Sequence, residues 1–223
     1  MTYTLVQTSI TTSSSQCTIP ASTIGNLGFI TLCMDQTTAI TAINGSGAAW
    51  DTSGSQNDAA NGQNVISLWG IYGSSVTSLV YNNAGAVALT VSYCEFNSST
   101  GWNATPLRTA NVAKAFTTAT TATDNATSNN ITPNAGDLVV CAYGDTSGNQ
   151  ASIVHGTGWT TGVVQIGAPG TGASAAEWMT APGGSQNGTF TVGTGGHNYT
   201  NQIYAFAPGG SPPPATGSFF RLM

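Results

Sequence analysis

Charge is what this chain most lacks. Only 5% of its 223 residues are Asp, Glu, Lys or Arg, against about 25% in an ordinary soluble domain. Three residues are basic (Arg108, Lys114 and Arg221), and the net charge is −5. A nucleic-acid surface needs clustered cations to neutralise phosphates, so that class of partner is excluded. Long apolar runs are missing too: none reaches the roughly 18 residues of a membrane span, and no membrane partner is expected. The N-terminus, MTYTLVQTSITTSS, has no basic region, apolar stretch or small-residue cleavage site of a secretory signal. Helical stripes are absent, and 28 glycines argue against long helices.

Cysteine is scarce and badly placed for metal. Cys17, Cys33, Cys94 and Cys141 form no CxxC pair and stand away from His155 and His197, so no zinc site and no cofactor are expected. Cys33 and Cys141 lie inside apolar runs and read as buried thiols; Cys17–Cys33 and Cys17–Cys94 disulfides stay open.

A repeat is present. Gly28 to Cys33 recurs as Gly136 to Cys141, Trp50 as Trp159, Trp69 as Trp178 and Phe96 as Phe206, at offsets of 108, 109, 109 and 110 residues. A spacing kept across four landmarks implies an internal duplication of a unit about 95 residues long, a size suited to a small β-sandwich. Ile30, Leu32 and Met34 alternate and are matched with Leu138, Val140 and Ala142. Val65–Tyr72 and Ala86–Phe96 are rich in strand-forming residues. Turn clusters such as Asn44-Gly45-Ser46-Gly47 and Pro182-Gly183-Gly184 separate the runs.

The expected fold is all-β: two tandem antiparallel β-sandwiches, jelly-roll or Ig-like, with an extended C-terminal tail. Residues 1–110 form copy one, 111–208 copy two, and 209–223 a Pro/Gly spacer ending in Phe219, Phe220, Leu222 and Met223. That apolar end, carried on a semi-extended spacer, reads as a peptide that docks on a neighbouring chain.

GDLVVCAYGDTSG, GTGW and AAEWMTAPGGSQNGTFTV in copy two, with VISLWGIYG and VSYCEFN in copy one, resemble the tandem β-sandwiches of bacterial surface proteins and tailed-phage structural proteins. The resemblance implies a surface or virion role and brings no catalytic residues with it.

Catalytic constellations are not legible. Glu95 and Glu177 could be nominated as a glycosidase pair, but nothing in the sequence sets their separation, and no nucleophile elbow is present. The oxygen-rich loop Asp51–Asp58 lacks EF-hand spacing. A hydroxyl- and amide-rich surface without a secretion signal suggests a protein made in the host cytoplasm and carried out on a particle; leaderless secretion is the alternative. The expectation is therefore a non-enzymatic virion protein, a capsid decoration or cement component or a tail-associated one. Its partners would be the major capsid protein or other virion subunits, and it would self-associate, with a trimer as the analogy-based guess. The alternative is an adhesion module for host-surface glycans, with Trp102, Asn97 and Asn103 as the candidate contact, or Tyr199 with Asn198 and Asn201. No metal site is expected.

Overall fold

The computed structural model describes residues 2–13, 16–34, 40–44, 50, 64–83, 89–118, 124–145, 150–166, 172–193 and 198–210. Among them there are fifteen strands and no helix. The first unit contributes β1 (Tyr3–Ser13), β2 (Gln16–Thr18), β3 (Leu27–Met34), β4 (Ile40–Asn44), β5 (Asn64–Ile71), β6 (Ser78–Asn83) and β7 (Leu89–Ser98). The second contributes β8 (Trp102–Thr118), β9 (Asp124–Thr127), β10 (Leu138–Asp145), β11 (Ile153–His155), β12 (Thr160–Gln165), β13 (Ala173–Thr180), β14 (Thr189–Val192) and β15 (Asn198–Pro208). β8 runs across the boundary expected at 110/111.

In the first unit a large sheet has the order β1-β7-β3-β5 and a small one β2-β6-β4. In the second the orders are β12-β13-β10-β15-β8 and β11-β14-β9. The first strand of each unit pairs with its last, the second with the next to last, and the third with the third from last, all antiparallel. This nested pairing is a long hairpin rolled into a jelly roll. Position for position the two orders correspond, apart from the added β12, which is compatible with a duplication.

Hydrogen-bond register corrects the alignment within that correspondence. Leu27 faces Phe96 as Leu138 faces Phe206, and Phe29 faces Trp69 as Val140 faces Trp178. Gly25 (φ 84°) and Gly136 (φ 89°) hold the same turn, each donating its N–H at 2.8 Å to a carbonyl, that of Tyr72 or of Ala181; left-handed φ at this position favours Gly. Trp69 with Trp178 and Phe96 with Phe206 are therefore equivalent, as expected. Cys33 with Cys141 are not: Cys33 corresponds to Gly144 and Cys141 to Ile30. Likewise Ile30 and Leu32 face the interior of the first roll, whereas Leu138, Val140 and Ala142 face the junction between rolls. An odd slip along a strand exchanges its two faces, and strands apolar on both faces give no alternation to betray it.

Three cores stack in sequence. Ile30, Leu32, Ile66, Leu68, Val91 and Tyr93 fill the first roll. Val139, Cys141, Tyr143, Phe190 and Ile203 belong to the core of the second. Between them the two large sheets meet through Leu27, Phe29, Trp69, Phe96, Leu138, Val140, Trp178, Tyr204 and Phe206. Aromatic edges interlock there: Phe29 on Tyr204 (5.4 Å), Trp69 on Phe206 (5.5 Å) and Phe96 on Trp178 (5.7 Å). Toward the other end the junction turns polar. Ser92 and Ser174 hydroxyls meet at 2.7 Å, Thr90 Oγ1 donates to Gly172 O (3.0 Å), and Gln202 Nε2 donates to Val65 O (2.7 Å). β10 is buried along its whole length because it has a sheet on either side.

The sheets approach so closely that a Cβ on Gly144 would sit 2.6 Å from the Val65 methyls. Gly144→Ala should cost about 1–3 kcal/mol by overpacking. Val65→Ala in the same chain should return part of it, because the two substitutions share one clash. Urea denaturation of the two single variants and the double variant measures this; strictly additive losses would refute the close packing.

Candidate functional site

All four carboxylates whose surroundings are described serve as hydrogen-bond acceptors within the fold. Glu95, fully buried at the end of β7, accepts from Thr23 N (3.0 Å), Asn26 Nδ2 (2.6 Å), Tyr93 OH (3.0 Å) and Gln7 Nε2. It closes the first roll. Asp145 accepts from Tyr143 OH (3.1 Å) and Gln150 Nε2. Asp137 takes a two-pronged contact from Arg108, Nε at 2.5 Å and Nη2 at 3.0 Å, together with Asn134 N at 3.0 Å. That contact pins β8 to the turn before β10.

Glu177 is different in degree. It is fully buried in the second roll, opposite Cys141 on the neighbouring strand, and accepts from Gly156 N (2.8 Å) and Thr189 N (3.0 Å). Desolvation pushes its carboxyl up to about 7, against the partial relief of those two backbone donors. Burial, then the nearby Glu177 carboxyl, raises the Cys141 thiol well above its ordinary range. Glu95 and Glu177 open into the interiors of different rolls, with the inter-roll junction between them, so they do not form a carboxylate pair.

A raised acid makes the folded state bind its proton more tightly than the unfolded chain does. Glu177 thus contributes stability that is complete below its unfolded value of about 4.5 and lost as pH rises through about 7. At 1.36 kcal/mol per pH unit the loss is on the order of 3 kcal/mol. The urea midpoint should fall between pH 5 and pH 8, and Glu177→Gln should flatten that fall. An unchanged slope in the variant would show that another group carries it.

The four thiols are free and buried. Cys17 lies in the core of the first roll and Cys94 in the junction, while Cys33 donates to Asp145 O at 3.2 Å across that junction. Sheet β1-β7-β3-β5 separates Cys17 from the other two, so neither Cys17–Cys33 nor Cys17–Cys94 forms. A thiol reagent should find no reactive group in the native protein and four after denaturation. A single fast-reacting native thiol would contradict this burial.

The sequence-derived glycan contact divides. Trp102 is half-buried and stacks on Tyr3 (5.6 Å, 19°), so one ring face is spent on the junction core. Asn97 is exposed and donates to Asn26 Oδ1 at 2.9 Å; Asn103 is exposed and accepts from Thr105 N at 3.1 Å. Tyr199 and Asn201 are buried in the second roll and offer no platform. His155 is exposed, its Nδ1 3.1 Å from Gly156 O. Phe219, Phe220, Leu222, Met223, His197 and the 51–58 loop lie outside the described residues. No group of three His, Cys, Asp or Glu placed to hold a metal occurs among the described residues.

Sequence reasoning missed a groove. The second unit's large sheet has five strands against four in the first, and its edge strand β8 leaves the ladder twice, between the pairs Pro208–Trp102, Phe206–Leu107 and Tyr204–Val112. Beside these bulges is a depression of about 460 Å³, walled by Trp50, Trp69, Ile71 and Leu107, with Thr105 and Thr109 on β8. Trp50 is held edge-on to Tyr72 at 6.1 Å, over Gly28, whose missing side chain leaves it room. A second depression of about 430 Å³ shares Thr105, Leu107 and Thr109 and adds Asn103, Arg108, Asn111 and Asn134. Trp50 and Trp69 recur between copies and so read as core. The available clue was in the sequence: Trp50 stands between a Gly/Ala-rich stretch and a polar run, and not inside an apolar one.

No family model, curated protein or solved structure matches this chain.

Proposed function

We propose that this chain is a non-enzymatic structural protein on the outside of a virus particle, of the decoration or cement kind, with attachment at the tail as the nearest variant. The observation that carries the reading is the use made of its scarce charges. Glu95, Asp137, Asp145 and Glu177 all stabilise loops or strand ends, and Arg108 is spent on Asp137. Among the described residues this leaves a surface of hydroxyl, amide and apolar groups, with no uncompensated charge, over two rolls held together by a wide apolar junction. Such a body suits packing against neutral surfaces of other subunits, and its described acids are each engaged in holding the fold and do not oppose one another across a cleft. Jelly rolls recur in capsid proteins and in lectins, so the fold accommodates this reading without deciding it.

The partners would be the major capsid protein or other virion subunits, with self-association into a trimer as the arrangement that a local threefold axis favours. The tail from 209 onward would anchor the chain, each buried Phe, Leu or Met contributing about 1.5–3 kcal/mol before ordering costs. The second reading, an adhesion module for surface glycans, is favoured by the indole-walled groove.

Quantitative mass spectrometry of purified particles should find the chain at the copy number of a lattice component. Its absence from particles would overturn the virion reading. Deleting residues 209–223 should weaken binding to undecorated particles at least tenfold, a loss of about 1.4 kcal/mol. Undiminished decoration would remove the anchor.

A further inference from the structure

We propose that the groove between Trp50, Trp69 and the bulged part of β8 is a binding site for a neutral saccharide. The proposal deepens the adhesion reading and rests on it. Its volume, about 460 Å³, lies within the roughly 300–1,000 Å³ of small-ligand sites. The wall supplies apolar surface for the C–H face of a sugar ring: the half-buried Trp50 indole, with the edges of Trp69, Ile71 and Leu107 beside it. Thr105 and Thr109, both exposed on β8, bring hydroxyls to the rim.

Polarity and charge then narrow the ligand. No ionisable side chain occurs among the described residues of the groove. On the adjoining shelf the one cation, Arg108, is neutralised by Asp137. Asn103 and Asn111 use their Oδ1 atoms to accept from Thr105 N (3.1 Å) and Thr132 N (2.8 Å), which leaves each Nδ2 as a donor toward the shelf. Among the described residues an acidic sugar would find no uncompensated cation and a phosphorylated ligand no anchor. A neutral ring with several hydroxyls meets apolar surface on one side and amide and hydroxyl groups on the other.

A separate observation concerns Trp69. Its Nε1 is buried and without a hydrogen-bond partner, in a residue only 7% exposed. Buried donors are rarely left unpaired. Trp102 and Trp178 share this feature, and of the three only Trp69 is among the residues that line the groove.

The experiment is a neutral-glycan array with the full chain, followed by titration of the best-binding glycan while following tryptophan fluorescence. Wild type should bind, Trp50→Ala should weaken binding tenfold or more, and Trp102→Ala should leave it within twofold. Should Trp50→Ala fail to fold, the exposed Thr105→Ala/Thr109→Ala pair serves instead, with several-fold weakening expected. Loss on Trp102→Ala alone would overturn the groove while leaving the adhesion reading intact. A flat array would overturn both. A peptide of residues 211–223 that shifts the fluorescence where no glycan does would assign the groove to the chain's own tail and overturn the saccharide.

Discussion

Packing the two large sheets against each other removes water from the outer face of both, and the rest of the structure follows from that burial. β3 and β10 become the middle of a four-layer body and are apolar or neutral on both faces, apart from Asp145, which ends β10 and accepts from Tyr143 and Gln150. Each large side chain buried there contributes about 1.5–3 kcal/mol, far more than the few tenths typical of an exposed ion pair. A protein built this way gains little stability from surface charge, which agrees with how few charges it carries. The hydroxyl end of the junction, where Ser92 meets Ser174 and Thr90 meets Gly172, shows the same economy. Small neutral polar groups pair with one another and avoid the desolvation cost of ions.

The groove is a by-product of the same packing. Five strands laid over four leave the edge strand β8 only partly covered: Trp102 and Leu107 pack into the junction, and between them and beyond them the strand bulges out of its ladder with β15. Bulges end pairing and redirect side chains at sheet edges, and here they bring Thr105 and Thr109 toward Trp50 and Trp69. The buried acids act at the other extreme of the fold. Glu95 and Glu177 sit in separate interiors and tie loops to strands, which explains why neither belongs to a cleft. Glu177 is held by two backbone N–H groups, whereas hydroxyl and amide donors gather around Glu95.

Much of the fold was legible from local features. Strand-rich composition, turn clusters and the paired landmarks Trp69/Trp178 and Phe96/Phe206 pointed to two antiparallel rolls, and those pairs occupy equivalent ladder positions. The match of Cys33 with Cys141 failed because a run apolar on both faces has no period to align on. The better marker was the turn before it, Gly25-Asn26-Leu27 against Gly136-Asp137-Leu138, where a left-handed glycine is demanded by backbone geometry. Trp102 lacked a counterpart and so attracted attention, yet its ring is spent on Tyr3. Trp50 and Trp69 had counterparts and were set aside, yet they wall the groove.

By itself the sequence determined the all-β class and the scarcity of charge. These depend on composition and on contacts between neighbours along the chain. Tertiary structure alone decided which face of β3 looks inward, which core each cysteine joins, where the acids end up and which tryptophans wall the groove. Those outcomes depend on register and on sheet-to-sheet contact between residues far apart in the sequence, such as Ser92 and Ser174 or Phe29 and Tyr204. A shift of three residues along a strand leaves local propensity unchanged and exchanges the side chains of its two faces.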